Sequence, residues 1–245
     1  GYDYGPGYGE PINNFVLPFD VFGKHGRPGW PDIGRPEVER EPERRATYVD
    51  AVQKVREHML TFTDPEETRL ITYLNGLDES YFPEAWDRMV YYGDLFDEHF
   101  PESSFRVDGG YSEEAMDVIH GSIDLWASHT INYNLDKIRR NRERGVQDWV
   151  YGPLIYESAV NSWVGSSTFM DLPLVNDRAL SWAVWKYRTP SWIQWGIGSQ
   201  WRKAWYDPAT WKDISKSVNG NALLAYSPDI IPQVNEPVPS IRLKA

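Results

Sequence analysis

The chain is predicted to be an α/β protein, an incomplete (β/α)8 barrel of the TIM type, on three observations. Strand-like apolar runs alternate with helical patterns along the sequence. The strands lack hairpin spacing, so neighbours should pair in parallel through helical crossovers. Six principal strands fit into 245 residues, whereas a closed barrel has eight strands and typically about 250 residues of compact repeat. Two early strands are then expected from an upstream segment or a companion chain. The chain reads as one barrel domain over residues 1–245, a section of a longer polypeptide. An open doubly wound sheet is the alternative. It would favour a Gly-rich phosphate loop, and no G-x-G-x-x-G or Walker pattern occurs.

Residues 1–14 (GYDYGPGYGEPINN) read as an irregular loop, and residues 24–42 as a long proline-rich connection. Between them, residues 15–23 (FVLPFDVFG) are strand-like, with Pro18 suiting an edge. Residues 43–62 read as a helix, because Tyr48, Val52, Val55 and Met59 recur at helical spacing with charges between them. Residues 69–74 form the next strand. A helix follows over 83–100, with Trp86, Met89, Val90 and Phe96 on one side and Pro101 as its stop. Strands are expected at 105–108 and 123–127, then a basic helix over 135–144 ended by Gly145. Strands at 148–151 and 192–197 flank a helix over 177–187. The last apolar run is 222–226.

Composition narrows the function. A net charge of -11 argues against nucleic acid as a partner. No apolar run is long enough for membrane insertion. No cysteine is present, so no thiolate metal site or disulfide is expected, which fits a secreted or extracytoplasmic setting. His25, His58, His99, His120 and His129 show no H-x-x-x-H spacing, and no Ser lies in a G-x-S-x-G elbow. Neither a metal nor a cofactor is expected. Arg139, Arg140 and Arg142 read as the solvated cationic end of a helix. Twelve Trp and fifteen Tyr supply flat faces that can pack in a core or stack on sugar rings.

The candidate catalytic residues are Asp78 and Glu79, which follow the strand over 69–74 after Asn75-Gly76-Leu77. In a parallel barrel, chemistry sits at the carboxyl ends of strands. Neighbours on a regular strand point to opposite faces, so the chain must bend for both carboxylates to reach one cleft. Adjacent carboxylates do not suit ordinary double displacement, where the groups face each other across about 5 Å or more. They suit substrate-assisted hydrolysis. One carboxylate then orients a 2-acetamido group, while the other protonates the leaving oxygen and later deprotonates water. The plain alternative is that acidic residues before a helix favour its N-terminal dipole.

Four segments stand in order in the C-terminal part: 148–153 (DWVYGP), 168–188 (TFMDLPLVNDRALSWAVWKYR), 192–201 (WIQWGIGSQW) and 219–244. The second carries Asp171, Pro173, Arg178, Trp182, Trp185, Lys186 and Tyr187. The third carries Trp195-Gly196, and the fourth ends in Pro237 to Leu243. This series resembles the catalytic domain of glycoside hydrolase family 123, also known as domain of unknown function 4091. The resemblance implies a barrel and a retaining, substrate-assisted β-N-acetylgalactosaminidase acting on a glycan or glycoconjugate. It puts the acetamido-orienting role on Asp78 and the acid/base role on Glu79. It matches Ile123-Asp124-Leu125-Trp126 to a strand bearing Asp-x-Trp. Asp124 and Trp126 are therefore candidate substrate-binding residues, with Tyr151, Trp195 and Trp201 as further ones. Trp182 and Trp185 are expected to pack on the barrel. Two other readings stand beside this one: a non-catalytic carbohydrate-binding or surface-assembly protein, and a glycosidase for another sugar.

Overall fold

A computed structural model describes the chain except for residues 1–7, 20–35, 82, 130–133, 153–155, 158–162, 165–172, 195–205, 208, 211–217, 220–223, 227, 229–230, 232–233 and 241–245. In chain order the first elements are β1 (Asn14–Leu17), α1 (Pro36–Arg40), α2 (Pro42–Leu60), β2 (Arg69–Tyr73) and α3 (Pro83–His99). β3 (Ser103–Asp108), α4 (Glu113–Ile119), β4 (Leu125–His129), α5 (Leu135–Glu143) and β5 (Gln147–Gly152) follow. The remainder comprises β6 (Tyr156–Glu157), β7 (Trp163–Val164), α6 (Val175–Lys186), β8 (Trp192–Gln194), β9 (Ala209–Thr210), β10 (Val218–Asn219), β11 (Ala225–Tyr226) and β12 (Val238–Pro239).

One sheet runs β1-β2-β3-β4-β5-β8 as hydrogen-bonded neighbours. The pairs β1–β2, β2–β3, β3–β4 and β5–β8 are parallel. These are the six strands expected from the sequence, and their spatial order follows chain order. A doubly wound sheet would reverse at a switch point, whereas a barrel winds one way. The architecture is that of an incomplete α/β barrel, and the described residues do not form a closed eight-stranded ring.

The chain divides into two compact units, residues 1–127 with 135–147, and residues 128–134 with 148–245. In the first unit, strand alternation separates two faces. Leu70 and Thr72 stand in register near Ser103 and Phe105 on the helix side. Phe105 stacks on Phe96 of α3 at 6.1 Å, and Phe96 and Tyr92 meet Tyr48 of α2 edge-on. The helical spacing in α2 therefore points inward, with Tyr48, Val52 and Met59 buried. Part of the aromatic excess is core. The opposite face carries Ile71, Tyr73, Ser104, Arg106 and Asp108, with Tyr73 opposite Arg106.

Local chemistry accounts for the helix ends. Ser112 Oγ caps α4 by accepting the Ala115 N–H at 3.1 Å, a Ser N-cap ahead of two glutamates. Past α5, Gly145 takes φ 90°, and the Val146 N–H returns to Asn141 O at 2.9 Å. That left-handed stop was legible in the sequence.

The second unit holds β5 beside β8 and three antiparallel two-residue ladders, β6–β7, β9–β10 and β11–β12. The last apolar run contributes β11, which pairs with β12 over a small core of Ile231, Tyr226, Val234 and Val238. Trp182 and Trp185 on α6 are 71% and 78% exposed. The expectation that they pack on a barrel is thus corrected: α6 turns both rings to solvent.

Candidate functional site

The carboxylate pair lies at the carboxyl end of β2. The three intervening residues form a single 3-10 turn, Asn75–Leu77, closed by the Leu77 N–H to Leu74 O at 2.9 Å. Gly76 and Leu77 are buried in it. Asp78 follows with an extended backbone at φ -57° and ψ 130°. Glu79 then takes φ 47°, a left-handed conformation uncommon for a residue with a Cβ. Its N–H donates to Asp108 O at the end of β3 at 3.3 Å. The bend needed between adjacent carboxylates is therefore made by one helical turn and one strained residue, and β3 anchors it.

Beneath the pair lies a buried polar layer. Arg106 donates to both Asp108 carboxylate oxygens, Nε to Oδ1 at 2.8 Å and Nη2 to Oδ2 at 3.0 Å. Both residues are buried. The Arg106 guanidinium also covers the Tyr73 ring at 4.2 Å from its centroid. Burial, the most important cause, and then the Asp108 and Asp78 charges push the Tyr73 phenol far above its ordinary range. It is a permanent donor.

Two further tyrosines complete the group. Tyr81 is 43% exposed, and its ring lies 5.5 Å from that of Tyr111. The Gly110 N–H donates to the Tyr81 hydroxyl at 3.4 Å. Burial raises the Tyr81 phenol to about 12, with Glu79, Asp78 and Asp108 each adding to the rise. Both carboxylates of the pair thus act on one partly exposed phenol. Gly109 has φ 138°, and a Cβ there would stand 3.0 Å from the Tyr81 ring, so glycine serves both the turn and the close approach. Buried Tyr111 is also raised, by desolvation first and then by Tyr81, Asp108 and Asp78.

The remaining expected site residues fare differently. Trp126 is 0% exposed and stands in register with Val107, on the same sheet side as Phe105. Its Nε1 donates to Gly109 O at 2.8 Å, and Lys137 Nζ sits 4.8 Å from its ring. It offers no face to a sugar; its role is to tie β4 to the turn after β3. Asp124 precedes β4, at the amino end of the sheet. Its carboxylate accepts the Phe105 N–H at 2.7 Å, and desolvation raises its pKa. This places it at the opposite end of the sheet from Asp78 and Glu79, where it supports the pairing of β3 with β4. Tyr151 belongs to the second unit and stacks on His129 at 4.9 Å. Trp195 and Trp201 lie outside the described residues.

Tyr73, Tyr81, Arg106, Asp108 and Tyr111 were missed from sequence. The signal that could have found two of them is Arg106-x-Asp108-Gly109-Gly110. Two charges at strand spacing in an apolar run, followed by two glycines, mark a polar strand end.

No family model matches the chain, and neither does any curated protein. The likeness to family 123 therefore rests on the quoted motifs alone. Among the described residues no helix is long and apolar enough to cross a membrane. Nor does any group of three His, Asp or Glu among them suit a metal ion.

Proposed function

We propose that the Asp78–Glu79 turn is the acid/base centre of a glycoside hydrolase. Its substrate is a terminal β-linked N-acetylhexosamine, N-acetylgalactosamine by the family resemblance, on a secreted or extracytoplasmic glycan. The observation that supports this reading is the pair's place at the carboxyl end of β2, with Glu79 held in a left-handed backbone conformation by its N–H to Asp108 O. Backbone strain held in place by surrounding contacts clusters at functional sites.

In this reading Asp78 accepts the acetamido N–H and directs the acetamido oxygen onto the anomeric carbon. The glycosidic C–O bond breaks as Glu79 gives its proton to the leaving oxygen. A cyclic oxazoline-type intermediate results. Water then opens it at the anomeric carbon, Glu79 takes the water proton, and the acetamido group is restored. Two inversions give net retention. Glu79 must begin protonated for this step.

Glu79→Gln is expected to lose about 100-fold or more on substrates with poor leaving groups and little on those with good ones. Wild-type rates on both would remove the assignment. A thiazoline mimic of the cyclic intermediate should inhibit, and indifference to it would exclude substrate assistance.

A non-catalytic carbohydrate-binding role is favoured by one observation, the exposed Trp182 and Trp185 on α6. It predicts glycan binding that survives Asp78→Asn with Glu79→Gln and disappears when both tryptophans become Ala.

A further inference from the structure

A side chain that stacks on a sugar needs an open ring face, a fixed ring plane and a place beside the reacting groups. Trp126 is buried and fails the first condition. Of the exposed aromatic side chains described in the first unit, Tyr8 and Phe62 precede strands and Phe15 lies within β1, whereas Tyr81 follows the carboxyl end of β2. Two hydrogen bonds lay its turn against residues 108–110. The Glu79 N–H donates to Asp108 O at 3.3 Å, and the Gly110 N–H donates to the Tyr81 hydroxyl at 3.4 Å. The backbone of Glu79 and the tip of Tyr81 therefore meet the same short segment. That segment is itself tied down: Trp126 Nε1 donates to Gly109 O at 2.8 Å, and Lys137 Nζ donates to Tyr111 O. On its packed side the Tyr81 ring lies 5.5 Å from the buried Tyr111 ring, and Gly109 leaves the room a Cβ would take. We infer that Tyr81 is the aromatic platform for the sugar held at Asp78 and Glu79, with the turn over 109–111 as its mount.

The chemistry of the contact follows from both partners. One face of a β-linked N-acetylhexosaminide carries ring C–H bonds and no hydroxyl, and that face packs on a flat aromatic ring. A ring already held at its tip and along one side has little rotamer freedom left to lose, so binding does not spend the contact on ordering it. The hydroxyl accepts from Gly110, which makes it an anchor for the ring, while the ring face does the binding. Stacking of this kind is felt equally in the ground state and the transition state, so it acts on KM and leaves kcat alone. The inference rests on the reading of the pair as a hexosaminide site.

Tyr81→Phe keeps the ring, whereas Tyr81→Leu keeps apolar bulk without a flat face. On an aryl N-acetyl-β-hexosaminide, Tyr81→Leu is expected to raise KM about tenfold with kcat within about twofold. Tyr81→Phe should change KM less than about threefold. The Kd of methyl N-acetyl-β-galactosaminide, from NMR titration, should weaken in the same order, and cleavage does not enter that readout. Wild-type binding by Tyr81→Leu, or a loss in Tyr81→Phe as large as in Tyr81→Leu, would overturn the platform. So would a fall in kcat at unchanged KM, which marks damage to the Glu79 turn. If Tyr81→Leu does not fold, Tyr81→Trp decides: its wider face should bind at least as tightly as wild type, and weaker binding would overturn the inference. Should the wild-type chain bind the glycoside through Tyr81 yet cleave no N-acetylhexosaminide, the hydrolase reading falls and the platform stands. Cleavage with KM indifferent to Tyr81→Leu would do the reverse, and a chain that neither binds nor cleaves would overturn both.

Discussion

Glu79 combines a side chain suited to acid catalysis with a backbone suited to glycine. At φ 47° a Cβ costs on the order of 1 kcal/mol. Glu79→Gly should therefore be more stable than Glu79→Ala by about 1 kcal/mol in urea unfolding, while both lose activity on poor leaving groups. Equal stabilities would mean that the turn relaxes to an ordinary conformation once the side chain is gone. Arg106 illustrates the opposite economy. Its buried pair with Asp108 adds little over a well-packed apolar substitute, yet removing one partner costs about 3–5 kcal/mol. Arg106→Met should unfold at markedly lower denaturant, and a loss under about 1 kcal/mol would show that solvent reaches Asp108.

Between elements, two contacts carry predictions. Gly93 on α3 lies against the turn before β4, where a Cβ would stand 2.0 Å from Ser122 O. The obstacle is backbone, so Gly93→Ala should cost about 1–3 kcal/mol despite the better helix propensity of Ala. A stabilised variant would refute that packing. Arg56 of α2 and Glu102, just before β3, are joined by Nε to Oε2 at 2.7 Å. That hydrogen bond, more than the charge, lowers the Glu102 pKa. A carboxyl depressed in the folded state stabilises fully above its unfolded pKa of about 4.3. The contribution fades as pH falls through the lower folded value. Both side chains are about a third exposed, which limits the effect to about 1 kcal/mol or less. Glu102→Gln should be the less stable protein at neutral pH and match wild type in strong acid; a difference that persists in acid would assign the effect to packing.

At the scale of the whole molecule, the order of strands and helices was legible because it depends on local pattern. Tyr48, Val52 and Met59 mark α2 by spacing alone, and Gly145 marks the end of α5. α4 was missed because seven residues rich in acid show little apolar pattern; the Ser112 cap was its one clear sign. The faces of strands were less legible. β4 was expected over 123–127 and lies at Leu125–His129, and its pairing with β3 puts Trp126 on the helix side. Such parity comes from register between strands, which no single segment encodes. For the same reason Asp78 and Glu79, being adjacent in sequence, could be singled out as candidates, while Tyr73, Arg106 and Tyr81 could not. They meet the pair only through the β2–β3 ladder and the turns above it.

The central claim is that Asp78 and Glu79 cleave a β-N-acetylhexosaminide with help from its acetamido group. The most direct test is proton NMR of the first-formed sugar during hydrolysis of aryl β-N-acetylgalactosaminide and β-N-acetylglucosaminide, repeated with Asp78→Asn. The account predicts that the β anomer appears first and that Asp78→Asn slows its release about 100-fold. First appearance of the α anomer, or an Asp78→Asn rate equal to wild type, would contradict it.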